Sequence, residues 1–379
     1  MQVNTLRLTD FRNYAEEEIS FSPGTNVIYG NNAQGKTNLL EAICLFSFGR
    51  SKRARSDSEL IRFGRDFFRL TLTFSDSKRE YVASMQAATN GKKSIKINNV
   101  PLRRLSQLLS YLNVVMFSPS DLDIVQGSPS VRRRFLDEAI SQMYPKYMAN
   151  LSEYHKALDQ KNKLLKQLRL KGTRSDGMLT IWNEQLAESG TEIYLKRKEF
   201  IENLGTSAAR VQSEISKEKL KIDYTPSINC GIIEDIKERT ELENTVKSAL
   251  FRKLEDSQAR EIDLGSSILG VQRDDFTIKI GENDARLYAS QGQQRTAVLS
   301  LKLAQTEFIK EERGEYPVLL LDDIMSELDV ERRHFLAGKI SGKQVLITTT
   351  DAEDAEKNPG TSYFKIENGR LANVSSSGE

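Results

Sequence analysis

Gly30-Asn31-Asn32-Ala33-Gln34-Gly35-Lys36-Thr37 fits the P-loop pattern G-x-x-x-x-G-K-[ST] at every position. Residues 26–29 before this stretch predict a short buried strand, and residues 38–43 after it predict the first turns of a helix. A strand, a glycine-containing loop and a helix in this order are the context that the motif requires. The alternative is a glycine-containing turn that matches the pattern by chance.

The residue types of this loop suit a phosphate ligand. Gly30 and Gly35 let the backbone turn so that successive N–H groups point inward, and the start of the helix adds a partial positive charge. Lys36 is expected to reach the β- and γ-phosphates, and the hydroxyl of Thr37 is expected to bind Mg²⁺. All eight residues are therefore candidate ATP-binding residues.

Composition limits the class of protein. The 379 residues are 38% hydrophobic and 28% charged, with 55 Lys and Arg against 53 Asp and Glu, for a net charge of +2. A nucleic-acid partner would therefore need a local basic patch. Two cysteines far apart and two histidines argue against a zinc site and for a reducing compartment. Without a signal-peptide pattern or an apolar span, we expect a cytoplasmic protein with no membrane partner.

Hydrophobic spacing divides the chain into three segments. Residues 1–117 alternate in short strands around the P-loop, with a hairpin signal at Asn90-Gly91. Residues 118–264 carry apolar residues at helical spacing, interrupted by Pro145 and by a turn at residues 171–177, which predicts an antiparallel helical hairpin. Residues 265–379 return to strands, and the polar tail from Asn373 is expected to fray.

An acidic pair follows the apolar strand at residues 318–321. Because ligands of α/β proteins bind at the carboxyl ends of strands, Asp322 is placed to hold Mg²⁺ through water. Asp323 is placed to orient and deprotonate an attacking water, which makes it the candidate catalytic base. Lys36, through its phosphate contact, is a second candidate catalytic residue. The alternative is a solvated strand end without a ligand.

Two further motifs complete an ATPase pattern. Ser290-Gln291-Gly292-Gln293 opens a helix and is similar to the signature motif of ABC-type ATPases. Ser326-Glu327-Leu328-Asp329 follows the acidic pair and is similar to their D-loop. The resemblance implies that the signature of one subunit faces the P-loop of another, so that Ser290 acts in trans and ATP joins a homodimer.

The whole pattern resembles the RecF family, bacterial DNA replication and repair ATPases related to SMC proteins. Only the P-loop, signature and acidic motifs are shared across the wider class. The stretches that carry the resemblance are residues 8–14, 30–42, 117–122, 127–129, 132–137, 273–275, 290–295 and 321–329.

The resemblance implies an α/β ABC/SMC-like ATPase head. Its P-loop lobe would be split, with a mixed sheet and an antiparallel β subdomain, and would carry an inserted helical hairpin lobe. It also implies Arg12 and Asn13 at the nucleotide, ATP-dependent dimerisation, and binding to single-stranded and gapped or junction DNA. Cooperation with RecO and RecR in loading RecA, and a weak DNA-stimulated ATPase activity, complete what the family implies.

Three positions depart from the family or class pattern. Gln272 stands where the RecF family usually has a histidine, and it cannot titrate near neutral pH. Residues 348–350 are threonines where most ABC ATPases have a histidine, and Asp323 stands where many relatives have the longer glutamate. The last two departures predict slow hydrolysis, which suits a timed switch better than a motor.

Local basic clusters are the candidate DNA contacts. Backbone-phosphate contacts from such clusters would be salt-sensitive and independent of sequence. A solvated face is the alternative for each cluster. For the cluster at residues 132–134, an intramolecular helix contact is an equally open alternative. The candidates are Arg50, Lys52, Arg53 and Arg55 in one cluster and Arg132, Arg133 and Arg134 in the other, and residues 92–96 and 103–104 are further basic stretches.

Two other function classes compete with a DNA clamp. A transporter-type ATPase subunit would have a γ-phosphate histidine and a small helical domain rather than a long hairpin. A small-molecule P-loop kinase would carry neither the signature nor the D-loop.

Overall fold

The computed structural model describes residues 1–173, 176–231, 236–350 and 360–376. Its strands, in chain order, are β1 (Gln2–Phe11), β2 (Tyr14–Ser20), β3 (Thr25–Tyr29), β4 (Phe67–Ser75), β5 (Glu80–Ala88), β6 (Lys93–Ile97), β7 (Val100–Pro101), β8 (Val114–Phe117), β9 (Leu220–Thr225), β10 (Asp275–Ile280), β11 (Asn283–Asp284), β12 (Val318–Asp322), β13 (Val345–Thr349), β14 (Ser362–Glu367) and β15 (Arg370–Ser376).

The α-helices of the described residues follow the same order. They are α1 (Lys36–Phe48), α2 (Leu105–Leu108), α3 (Asp123–Gln126), α4 (Pro129–Met143), α5 (Pro145–Lys171), α6 (Gly177–Ser216), α7 (Arg239–Asp256), α8 (Gln258–Leu264), α9 (Ala285–Tyr288), α10 (Gln291–Arg313), α11 (Ile324–Glu327) and α12 (Val330–Ile340). Short 3₁₀ helices cover Asp57–Leu60, Pro119–Leu122 and Val271–Arg273. None of these helices combines the length and apolar character that crossing a bilayer would require.

The chain forms two compact units. The first comprises residues 1–122, 210–217 and 295–379, and the second comprises residues 123–209 and 218–294. In the second unit β10 pairs antiparallel with β9, so a strand after residue 265 belongs to the helical unit. These two units are defined by how the chain packs. The predicted segment boundaries at residues 118 and 265 stay a prediction.

The first unit contains two sheets. One is antiparallel, in the order β2-β1-β4-β5-β6-β7, and includes the hairpin predicted at Asn90-Gly91. The other is mixed, in the order β15-β14-β3-β13-β12-β8, with parallel pairing from β14 through β8. Helix α1 is buried along nearly its whole length in the core that both sheets share. A helix that is apolar around most of its surface suits this position.

The mixed sheet determines where the candidate site lies. The P-loop strand β3 pairs with β13, and β13 pairs with β12, whose last residue is Asp322. The pairing places Thr348 directly opposite Asp322. Because these strands are parallel, their carboxyl ends meet at one edge of the sheet, where α/β proteins bind ligands.

Residues 360–376 are more ordered than the sequence predicts. Residues 373–375 pair with β14 in a hairpin, so the expectation of a frayed tail from Asn373 is wrong for the described residues. The turn of this hairpin is Asn368-Gly369, a strong hairpin dipeptide. Polar composition is compatible with a strand at the edge of a sheet, which is why it misled the prediction.

The second unit contains the helical hairpin. Helix α4 ends at Met143 and α5 begins at Pro145, as the missing proline N–H predicts. Near the start of α5, Tyr147 contacts Arg197 of α6, whereas near its end Leu165 packs with Leu179. The two helices are therefore antiparallel, about 40 and 60 Å long. Residues 174 and 175 of the predicted turn lie outside the described residues.

Candidate nucleotide site

The P-loop backbone requires its two motif glycines. Gly30 has φ +144 and Gly35 has φ +116, in the region that residues with a Cβ disfavour. A Cβ on Gly30 would lie 2.4 Å from the carbonyl oxygen of Ile366, and one on Gly35 would lie 2.7 Å from the Asn13 amide. Both positions are therefore glycine for space as well as for conformation.

Lys36 folds back over the loop that precedes it. Its Nζ donates to the carbonyl oxygens of Gly30 at 2.5 Å and Asn31 at 2.8 Å. Burial lowers the pKa of Lys36, whereas the negative charges of Asp323 and Asp322 act to raise it. The ammonium is thus held between the loop and the acidic pair, where a phosphate chain could replace the carbonyl partners.

Two threonines hold the first carboxylate of the acidic pair. Thr37 Oγ1 and Thr348 Oγ1 each donate to Asp322 Oδ1 at 2.8 Å. The Thr348 hydroxyl also accepts from the backbone N–H of Asp323 at 3.0 Å. A hydroxyl and a carboxylate within hydrogen-bond distance are hard oxygen donors of the type Mg²⁺ takes beside nucleotide phosphates. The set therefore fits a magnesium site, and Thr348 positions the carboxylate.

Asp323 lies in an unusual backbone conformation. Its φ is +53, in the left-handed region that non-glycine residues seldom adopt, immediately before α11. The hydroxyl of Ser326 donates to the carbonyl oxygen of Asp323 at 2.9 Å and to Asp323 Oδ1 at 3.2 Å. The proposed base is therefore linked to the first residue of the D-loop.

Arg12 and Asn13 lie beside the P-loop through contacts with the protein. Arg12 binds both carboxylate oxygens of Glu41 on α1, at 2.8 and 2.9 Å. Asn13 donates to the carbonyl oxygen of Gln34 at 2.8 Å and accepts from Asn38 at 2.9 Å. Their predicted contact with nucleotide stays a prediction. Sequence reasoning missed Glu41, a buried acidic residue in an otherwise apolar helix, which was the available signal.

The C-terminal hairpin supports the loop from behind. Gly369 N–H donates to the carbonyl oxygen of Gln34 at 2.9 Å, and Asn368 N–H donates to the Gln34 side chain. Sequence reasoning missed this contact because the two segments are more than 330 residues apart.

The signature motif forms a reciprocal cap at the start of α10. Ser290 N–H donates to Gln293 Oε1 at 2.8 Å, and Gln293 N–H donates to Ser290 Oγ at 3.2 Å. This is the capping-box arrangement, with glutamine at the third helical position. The Gln293 amide also donates to Glu218 at 2.6 Å. Ser290 is exposed, so its hydroxyl is presented at a helix N-terminus as the sequence predicts.

The rest of the D-loop is tied to neighbouring helices. Arg295 of α10 forms an ion pair with the carboxylate of Glu327 and donates to its carbonyl oxygen at 2.8 Å. Leu328 is buried, and Asp329 caps α12 by accepting from Arg332 N–H at 2.9 Å. The Glu327 carboxylate is therefore engaged by a cation.

The first basic cluster is largely exposed. Arg50, Lys52, Arg53 and Arg55 are all exposed, although Arg53 donates to Asn38 at 3.1 Å. Lys52 lies over the ring of Phe48 at 5.0 Å. This cluster follows α1 directly and lies close to the P-loop helix.

The second cluster makes intramolecular contacts. Arg132 is buried and binds both carboxylate oxygens of Asp275 at 2.6 and 2.8 Å. Arg133 donates to the carbonyl oxygen of Asp274 at 2.8 Å, and Arg134 is exposed. The helix-contact alternative thus accounts for Arg132 and Arg133.

Comparison with known proteins identifies the family. The family model described as the RecF/RecN/SMC N-terminal domain matches residues 2–370. The protein named DNA replication and repair protein RecF from Staphylococcus carnosus is 41% identical over 376 residues, covering 98% of this chain and all of the relative. This chain belongs to the RecF family.

Other relatives and solved structures agree with this assignment. RecF from Clostridium acetobutylicum is 40% identical over 374 residues, covering 98% of this chain and 99% of the relative. The structure of the recombination mediator protein RecF with ATP in the RecFOR pathway superimposes with a TM-score of 0.90 at 38% identity, covering 99% of this chain and 97% of that one.

The fold extends beyond the RecF family. An SMC head domain aligns with a TM-score of 0.55 at 16% identity, covering 99% of this chain and 97% of that one, and shares the fold alone. The predicted α/β ABC/SMC-like ATPase head with its helical insertion is confirmed.

Proposed function

We propose that this chain is an ATP-dependent DNA-binding protein of recombinational repair and replication restart. ATP joins two copies into a clamp on DNA at single-strand gaps and junctions, and slow hydrolysis releases it. The observation that carries the proposal is the hydrogen-bonded set Thr37–Asp322–Thr348 at the carboxyl ends of parallel strands, in a member of the RecF family.

The nucleotide would be held by the P-loop, residues 30–37. The backbone N–H groups and Lys36 would bind the phosphates, and Thr37 with Asp322 would hold Mg²⁺. When bound, the ion supplies charge neutralisation to the phosphate oxygens. Solved RecF structures described with ATP and with an ATP analogue support this assignment.

Asp323 would act as the base in hydrolysis. Its carboxylate would accept a proton from the attacking water, while Lys36 stabilises charge on the transferred phosphoryl group. The Ser326 contact would hold the carboxylate in position. Because aspartate is shorter than glutamate and Thr348 cannot shuttle a proton, we expect turnover to be slow, with DNA stimulating it.

The second half of each site would come from another copy of the chain. Ser290 at the N-terminus of α10 would approach the γ-phosphate bound by the partner's P-loop. Gln293 holds Ser290 in place through the capping box and would pre-organise this contact. The ATP-bound form would thus be a homodimer and the nucleotide-free form a monomer.

DNA and two partner proteins complete the proposal. The RecFOR pathway named for the solved relatives supports RecO and RecR as partners. RecA loading on gapped DNA would be the outcome, as the family resemblance implies. Among the predicted contacts, the exposed cluster Arg50, Lys52, Arg53 and Arg55 is favoured for DNA phosphates over Arg132 and Arg133. From such a role in DNA damage repair we infer a cytoplasmic location.

Sedimentation with gapped duplex DNA tests the proposal. With ATP and Mg²⁺, the chain should co-sediment with gapped DNA as a dimer, and with ADP or no nucleotide it should remain largely a free monomer. If the chain bound ATP but did not bind DNA under any of these conditions, the proposal would be contradicted.

A further inference from the structure

An aromatic side chain stands fully exposed at the tip of a basic turn in the first unit. Phe63 has a relative exposure of 102%, whereas most large apolar residues of this unit are buried. Arg62 and Arg65 flank it, and Gly64 beside it has open space around its Cβ position. Packing within the described chain gives no reason for a phenylalanine at this position.

The turn is anchored rather than loose. Arg65 N–H donates to the carbonyl oxygen of Arg62 at 3.0 Å, and Gly64 has φ +77, which this kind of turn reserves for glycine. Arg62 N–H donates to Asp10 at the end of β1 at 2.8 Å, and Asp66 accepts from Thr89 N–H at 2.8 Å. The backbone on each side of Phe63 is thus bonded to the antiparallel sheet, and the ring is presented in a defined place.

The charge around the ring favours a polyanion. Residues 50–69 contain seven Lys and Arg against three Asp and Glu, a net charge of +4, whereas the whole chain has only +2. The carboxylate of Asp10 lies 3.6 Å from the Arg62 guanidinium and 3.3 Å from that of Arg65, so one acid holds two partly exposed arginines beside the ring. An exposed aromatic among cations does not fit an apolar protein interface, whose core is depleted in charge.

We propose that Phe63 is a stacking site for an unpaired base of gapped or single-stranded DNA, with Arg62 and Arg65 contacting the flanking phosphates. This site rests on the proposed function, because it assigns a contact for the DNA partner. Aromatic platforms combined with a basic groove are how proteins hold single strands without sequence preference. The site gives the chain a means to distinguish a gap from continuous duplex.

Fluorescence anisotropy with the full chain, ATP and Mg²⁺ tests the site. Phe63→Ala should weaken binding to gapped DNA by roughly 5- to 150-fold, and Phe63→Trp should retain it. Val100→Ala removes another exposed apolar side chain from the same sheet and should have no effect. The salt dependence of Phe63→Ala should equal that of wild type, whereas Arg65→Ala should lower the log–log slope by about 1.

A gap built from abasic nucleotides separates stacking from a structural effect. Wild type should lose affinity for it, and Phe63→Ala should bind both gaps equally. Equal affinity of Phe63→Ala and wild type for the normal gap would overturn the site and leave the proposed function standing. If Phe63→Ala weakened binding to gapped DNA and to blunt continuous duplex equally, the site would also be overturned. The same would follow if Phe63→Ala lost binding to a protein partner only and kept its affinity for DNA. Failure of wild type to bind any DNA with ATP would instead refute the proposed function.

Discussion

At the scale of single residues, the site depends on a few side chains with distinct tasks. In the proposed mechanism, Lys36 would supply a cation, Thr37 and Asp322 would supply oxygen ligands, and Asp323 would supply a base. Thr348 is the residue that the structure adds to this set. Its hydroxyl donates to the carboxylate of Asp322 and accepts from the backbone N–H of Asp323. Substitutions at these positions should therefore separate binding from turnover.

Lys36→Ala should remove most of the affinity for ATP. The phosphates lose a charge-assisted hydrogen bond, worth about 1.5–3 kcal/mol, or roughly 10- to 150-fold in affinity. Isothermal titration calorimetry measures the change, and Lys78→Ala, an exposed lysine on a turn, is the matched control. Normal ATP binding by a folded Lys36→Ala protein would show that the loop is not the phosphate site.

Asp323→Asn should bind ATP and dimerise but turn over about 10²- to 10⁴-fold more slowly, because the water loses its base. Steady-state phosphate release gives the rate. Glu327→Gln is the comparison, since the Glu327 carboxylate is already paired with Arg295 and should contribute little. If Asp323→Asn kept a near-normal rate of phosphate release and Glu327→Gln lost most of it, Glu327 would be the base instead.

At the scale of elements, two of the stretches that carry the family resemblance meet on one buried arginine. Arg197 of α6 is 1% exposed and pairs with Asp137 at 2.8 Å and Asp274 at 3.3 Å. Asp137 closes the stretch 132–137 and Asp274 belongs to the stretch 273–275. Burial raises the pKa of Asp274, whereas the Arg197 charge acts to lower it. Both stretches therefore have a structural task in holding the helical unit together.

Arg197→Ala should destabilise the protein by about 3–5 kcal/mol, because two carboxylates lose their cation in a buried site. Urea unfolding followed by circular dichroism measures the shift. Arg134→Ala, an exposed arginine on α4, should change stability by no more than about 0.5 kcal/mol. Equal midpoints for the two variants would show that the buried pairs carry no stability.

Local patterns predicted the elements better than their contacts. The P-loop, the strand before Asp322 and the break at Pro145 depend on neighbouring residues, so periodicity and proline chemistry identify them. The pairs Arg12–Glu41, Thr348–Asp322 and Arg132–Asp275 join residues 26 to 143 positions apart. Nothing in the local sequence says which acid an arginine or a threonine will meet, so the pairing was beyond prediction even where, as at Glu41, a single residue stood out.

At the scale of the whole molecule, the proposal requires two copies of the chain. Ser290→Arg should leave ATP binding to each monomer intact, because the P-loop is unchanged. Dimerisation, hydrolysis and ATP-stimulated DNA binding should all be lost, since a long cation replaces a small hydroxyl at the contact with the partner. Glu311→Ala, at an exposed position near the other end of α10, is the control for folding of that helix and should dimerise.

A mixture of Ser290→Arg and Lys36→Ala proteins should recover one complete site. That site combines the P-loop of the first variant with the signature of the second. Phosphate release by the mixture above the sum of its separate components would support action in trans. Phosphate release equal to that sum, with no heterodimer detected by sedimentation, would contradict a shared site. Phosphate release equal to that sum with heterodimers present would show that both sites must act together.

The central claim is that ATP joins two chains, and analytical ultracentrifugation of the wild type without DNA tests it most directly. With ATP and Mg²⁺ the chain should sediment as a dimer, with ADP or no nucleotide as a monomer, and Ser290→Arg as a monomer throughout. A wild type that stays monomeric with bound ATP, or a Ser290→Arg protein that dimerises with it, would contradict the account.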